Sequence, residues 1–135
     1  MNLSHLLQER EDGHQPVRVA VIGCGKFATM YLTQARTTPG IHIVGIADLD
    51  LVRTRTNLRS AGWPDSQAAA ISIDAAVESG GTFLTEDAVT LIGDERIDVV
   101  VEATGIPHAG IRHCQAAIRS GHHVVMVNVE ADVLA

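Results

Sequence analysis

The sequence predicts an α/β fold of three layers, α/β/α, built on a doubly wound parallel sheet in a single domain. Three observations predict it. Short aliphatic runs at residues 17–22, 41–47, 97–101 and 123–127 read as strands buried on both faces. Segments with helical spacing and helix-end signals separate them. Strands and helices that alternate in this way imply right-handed crossovers, which lay helices on both sides of a sheet.

The bulk properties agree. A chain of 135 residues can bury one compact core, and with 46% hydrophobic but only 3% aromatic residues that core must be aliphatic. Ten Lys+Arg against 16 Asp+Glu leave a charge of −6 with no basic stripe, which argues against a nucleic-acid partner and for small molecules. Cys24 and Cys114 form no CxxC, which fits a reducing compartment, the cytoplasm. Residues 1–15 carry neither a basic leader nor a long apolar run, so no export signal and no membrane partner is expected.

Element by element, residues 3–11 suit a short amphipathic helix, ended by Gly13 and Pro16; residues 1–15 are a lead-in, and 16–135 the domain. Strand 17–22 leads into a helix over 26–36, with Phe27, Met30, Tyr31 and Ala35 at helical spacing and Pro39 and Gly40 behind it. After strand 41–47, Asp50 can cap a helix over 51–61 that Gly62-Trp63-Pro64 ends. Residues 68–79 predict one or two helical turns, read as an insertion. A short strand at 82–84 leads to Thr85 as N-cap of a helix ending at Ile92. Strand 97–101, a helix from Pro107 to Ser120 with Gly121 as its C′ residue, and strand 123–127 complete the order.

The chemistry sits at the strand ends. Gly23-Cys24-Gly25-Lys26-Phe27-Ala28 is a GxGxxA loop between a buried strand and a helix, the setting of a Rossmann dinucleotide site. Gly23 permits the tight turn, Gly25 lets backbone approach a pyrophosphate without a Cβ, and Ala28 allows close helix–strand packing. The N–H groups of the adjoining helix, from Lys26 and Phe27 onward, then face the phosphates. An ordinary structural turn is the alternative, and the flanking elements favour the cofactor reading. Asp48 ends the second strand near the usual offset of about 20 residues, where an acid accepts from the adenosine ribose 2′-OH. That favours NAD, whereas Arg53 and Arg55 stand close enough to help a 2′-phosphate; the cofactor is NAD or NADP, and a helix cap or solvated turn is the competing role for Asp48.

Ala103-Thr104-Gly105 leaves the fourth strand at the same edge, beside the expected nicotinamide half. Gly105 allows close approach and Thr104 can hydrogen-bond a ribose or carboxamide, against an ordinary strand–helix turn. Asn128 occupies the equivalent position after the last strand, either to orient cofactor or substrate or to cap the next segment of chain. The histidine spacing, with His108 and His113 five apart, argues against a metal site. Cys24, near a helix N-terminus, is either a redox thiol or a small filler. Glu102 is a carboxylate with no partner visible in sequence.

Beyond the loop, Glu102-Ala103-Thr104-Gly105 and Gly121-His122-His123-Val124-Val125 ending in Asn128 resemble the cofactor domain of homoserine dehydrogenases over most of residues 17–135. Closer still, Ile22-Gly23-Cys24-Gly25-Lys26-Phe27, Gly45-Ile46-Ala47-Asp48 and Val127-Asn128-Val129-Glu130-Ala131-Asp132 resemble the deoxyxylulose-phosphate-reductoisomerase-like oxidoreductases, whose members often carry a SAF domain. The resemblance implies NAD(P)H chemistry on a small carbonyl or sugar-phosphate substrate, with catalysis largely from a substrate domain downstream. Homoserine dehydrogenases usually place a lysine directly after the strand-ending Asn; here it is Val129, which argues against homoserine itself. Glu130 and Asp132 offer carboxylates near that edge, with surface acids the equal alternative. A non-enzymatic NAD(H)-binding redox sensor and a methyltransferase are the competing functions; Ala28 and the Thr104-Gly105 turn favour a dinucleotide. A homo-oligomer is left open.

Overall fold

The computed structural model describes residues 3–127. Among the described residues five parallel strands form one sheet: β1 (Val17–Ile22), β2 (Ile41–Ala47), β3 (Phe83–Thr85), β4 (Val99–Glu102) and β5 (His123–Met126), in the order β3-β2-β1-β4-β5. This is the doubly wound, Rossmann-type sheet with its switch point beside β1, between the outward paths to β2 and to β4.

The aliphatic runs are continuous because both faces are covered. Along β1, Val19 and Val21 enter one core cluster while Ala20 and Ile22 enter the other. The period breaks in β2. Val19 pairs with Ile43 but Ala20 pairs with Gly45, so Val44 is an extra residue, and Ile43 and Ile46 serve the same face although three apart. Each large aliphatic side chain buried in these clusters contributes about 1.5–3 kcal/mol.

Helices α2 (Lys26–Ala35) and α3 (Leu51–Ser60) cover the first face. The buried side of α2 is Ala28, Leu32 and Ala35, whereas Phe27 and Met30 are exposed; the stripe is rotated from the one that Phe27, Met30, Tyr31 and Ala35 predict. Two of these three inward residues are alanines, which lets the helix lie close to the sheet. The Trp63 indole closes this layer, donating from Nε1 to the buried Leu32 carbonyl at 3.0 Å.

The second face carries α4 (Ile73–Ser79), α5 (Ala88–Ile92) and α6 (Pro107–Arg119). Here the reading of residues 68–79 as an insertion is corrected. A 3₁₀ turn (Asp65–Ala68) leads past the sheet margin, where Ala70 bridges Phe83 in parallel, and α4 then buries Ala76 in the second core cluster. The cap of α5 is also corrected. Asp87 accepts from Thr90 N, whereas the Thr85 hydroxyl accepts from Asp87 N one step earlier. The lead-in helix α1 (Leu3–Asp12) buries none of its residues. Its carboxylate at Glu11 accepts from Gly40 N, and its Leu7 carbonyl lies where a Cβ on Gly40 would fall.

Candidate functional site

Register brings the strand ends into line. Ile22 pairs with Ala47 and with Glu102, Ala47 with Thr85, and Glu102 with Met126, so one row crosses the sheet at its carboxyl edge. The residue after each row member therefore starts an edge loop: Gly23, Asp48, Glu86, Ala103 and Val127. The ladder continues one step outward, with Gly23 N donating to Ala47 O and Ala103 N to Ile22 O, both at 2.7 Å.

Above that row lies a cavity of about 470 Å³. Gly23, Cys24 and Gly25 form its floor beside Asp48, Leu49 and Arg53; Glu86 to Val89 close one wall, and Ala103, Thr104, Ile106, Ala109, Arg112 and His113 the other. Of the residues expected from sequence, Gly23, Gly25, Asp48, Arg53, Ala103 and Thr104 line it together. Lys26 and Phe27, at the start of α2, do not line it, and Ala28 is buried beneath in the core. Gly105 has φ +72° and stands outside the lining; Asn128, Val129, Glu130 and Asp132 lie outside the described residues.

The two glycines differ. Gly23 has φ +92°, and a Cβ there would fall 2.8 Å from Ala103 O and from Thr104 N and Cα. A Cβ on Gly25 would meet nothing within 4 Å, since it would project into open space beside the α2 N-terminus. Among the described residues no side chain caps that helix, so its first N–H groups are available to an anion. A cradle with room at Gly25 and free donors behind it fits the pyrophosphate of a dinucleotide.

Asp48 is more enclosed than the sequence suggests. Its carboxylate accepts from Cys24 N (2.7 Å, Oδ2), from Asp50 N (2.9 Å, Oδ1) and from Arg53 Nη2 at both oxygens (3.1 and 2.9 Å). Asp50 caps α3 by accepting from Arg53 N, as expected, and so fixes the backbone from which Arg53 reaches back. Arg55 points elsewhere, toward the Ala68 carbonyl at 3.4 Å, and is not part of the site. Asn57, unremarked in the sequence, holds the loop from below by donating to Cys24 O at 2.7 Å.

Glu102 has the partner that sequence could not show. Fully buried at the end of β4, it accepts from Thr104 N (2.8 Å) and the Thr104 hydroxyl (2.5 Å) at Oε1, and from His113 Nδ1 at Oε2 (2.5 Å). Burial pushes its carboxyl upward, yet the bonds from His113 and Thr104 outweigh that and hold it below the ordinary carboxylate value. The Thr104 hydroxyl is thus turned inward, and Ile106 N donates to it at 3.2 Å. It shapes the turn instead of presenting a free donor to a ribose. Cys24 is buried, and burial together with the Asp48 charge, opposed by Arg53, raises its thiol to about 11, which makes it a filler. Sequence reasoning missed Glu86 to Val89, Arg112 and His113. The β3–α5 junction had a detectable signal, since it ends a strand at the same edge.

Fold and cavity together define a nucleotide-binding Rossmann domain. The model of the homoserine dehydrogenase NAD-binding domain family matches residues 23–133, and the chain belongs to that family. Its cofactor is a nicotinamide dinucleotide, NAD or NADP. A comparison with curated proteins found no match. Among solved structures it is similar to biliverdin reductase from Synechocystis, in complex with biliverdin and NADP+ (TM-score 0.61, 23% identity, 82% of this chain and 29% of that one). It is also similar to myo-inositol dehydrogenase from Lactobacillus casei with NAD(H) and myo-inositol (0.61, 17%, 82% and 28%). A third is scyllo-inositol dehydrogenase from the same organism with NAD(H) and scyllo-inositol (0.57, 15%, 82% and 27%). At these identities the likeness shows the fold. The chain spans less than a third of each of these proteins.

Proposed function

We propose that the chain is the cofactor-holding part of a cytoplasmic oxidoreductase acting on a small carbonyl or sugar-phosphate-like substrate. Gly23, Gly25 and the first N–H groups of α2 hold the pyrophosphate, Asp48 and Arg53 mark the adenosine end of the cavity, and Ala103 and Thr104 border the path toward the nicotinamide. The observation that carries this reading is the open space at Gly25 over an uncapped helix N-terminus. When bound, the dinucleotide supplies or accepts a hydride; the protein binds it, orients it and excludes water from it. Among the described residues no helix is long and apolar enough to cross a bilayer.

The test is calorimetric titration with NADH and NADPH. Saturable binding that Gly25→Val abolishes, in a variant with unchanged thermal unfolding, supports the reading; unaltered affinity in that variant overturns it. The same 135 residues, mixed with reduced cofactor and a panel of aldehydes, ketones and sugar phosphates, are expected to show no turnover, because Val129, where homoserine dehydrogenases usually place a lysine, can neither donate a hydrogen bond nor carry charge. Turnover by the pure chain would place the chemistry within it.

A further inference from the structure

We propose that this cavity selects NADP(H) over NAD(H), with Arg53 reading the 2′-phosphate and Asp48 acting as the residue that positions Arg53. The inference rests on the reading of the cavity as a nicotinamide dinucleotide site and adds which dinucleotide it takes.

An acid at the end of the second strand normally accepts from the ribose diol and repels a 2′-phosphate. Here that acceptor is spent. A carboxylate offers about four lone-pair sites. In Asp48 each oxygen already receives two contacts, one from a backbone N–H (Asp50 to Oδ1, Cys24 to Oδ2) and one from Arg53 Nη2. Its side chain is only 6% exposed, so a ribose hydroxyl has no vacant acceptor to meet while Arg53 stays in place.

The same contacts offset the charge of the carboxylate. The Asp48 charge is matched by one guanidinium and two peptide dipoles, which removes most of the repulsion a 2′-phosphate would otherwise meet. Arg53, by contrast, is committed through one nitrogen. Among the described residues its Nη1 and Nε make no hydrogen bond, its side chain is 55% exposed, and it lines the cavity. A planar guanidinium anchored at one nitrogen and free at the others suits bidentate recognition of a phosphate. Arg55 is turned to Ala68 O, so the role falls to Arg53 within α3.

Two roles for Asp48 predict opposite signs. If it repels the phosphate, Asp48→Asn raises the preference for NADPH. If it positions Arg53, Asp48→Asn lowers it. Calorimetry on the purified protein with NADPH and NADH, and with adenosine 2′,5′-bisphosphate against AMP to isolate the phosphate, reads this directly. In the wild type the phosphorylated member of each pair is expected to bind about tenfold tighter or more, the value of one charge-assisted contact. Arg53→Ala should abolish the preference in each pair or reverse it, since it removes the phosphate partner and frees the Asp48 oxygens for the ribose hydroxyls, and Arg53→Lys should restore part of the preference. Arg112→Ala, across the cavity, should weaken both members alike. Equal or tighter NADH binding by the wild type, a preference that survives Arg53→Ala in a folded variant, or a rise in preference in Asp48→Asn each overturns the proposal. Failure of every probe to bind overturns the cofactor reading itself, a distinguishable result.

Discussion

Gly23 lies against the backbone of Thr104: a methyl group on its Cα would stand 2.8 Å from the Thr104 Cα, with no flexible side chain there to move away. The first and fourth strands thus turn outward in contact, and the glycine fixes how near they come. Gly23→Ala meets both that clash and a φ of +92°, and backbone strain of this kind alone costs about 1–3 kcal/mol. The variant should lose at least that in urea unfolding. Gly25→Val should stay within about 0.5–1 kcal/mol of wild type while losing the dinucleotide, because its side chain enters the space the pyrophosphate needs. Equal destabilisation by both changes would refute the distinction between a structural and a binding glycine.

The Glu102–His113 pair makes stability depend on pH in the acid range. Glu102 has a folded value below its unfolded one, so its contribution is fully present above the ordinary carboxylate value of 4.5 and disappears as pH falls through the folded value. Midpoints of urea unfolding should decline below that pH in wild type and decline less in Glu102→Gln. His113→Ala removes one donor to a buried acceptor and should cost about 1–3 kcal/mol at neutral pH. An identical acid profile in Glu102→Gln would show that some other carboxylate sets the decline.

The Cys24 thiol should be unreactive in the native protein. Raised to about 11 and buried in the loop, it supplies almost no thiolate at neutral pH. An aromatic disulfide reagent should leave Cys24 unmodified until denaturant is added. Rapid labelling of Cys24 under native conditions, mapped by mass spectrometry, would show that the loop opens.

Trp63 anchors the segment after α3 to α2 through its indole N–H and its burial among aliphatic residues. Trp63→Ala should cost about 3–5 kcal/mol, and Trp63→Phe less, with the lost Leu32 contact as its main component. A shift in thermal midpoint of similar size for both variants would mean the hydrogen bond dominates the packing.

The sequence made β1 and β2 legible to the residue, because a strand covered on both faces is aliphatic over most of its length, here broken only by Arg18, His42 and Gly45. The glycine loop was legible for the same reason: a turn from such a strand into a helix leaves few residue types that fit. The role of α4 was hidden, since Ala76 is small and its burial comes from distant strands rather than from any period of its own. The Glu102–His113 bond was hidden because it joins a strand end to the second turn of a helix across a loop. Asp48 stands out by position but its state does not, since its carboxylate is held by Arg53, a residue that the sequence offers as a partner for a 2′-phosphate and not for Asp48.

The bridge between Ala70 and Phe83 gives the two margins of the sheet different fates. On the β3 side the chain's own return path lies along the outermost strand, blunting it against intruding backbone. Among the described residues, β5 pairs with β4 alone. Growth of the sheet is therefore directional: among the described residues, the flank that leaves room for a sixth strand is the one beside His123 to Met126.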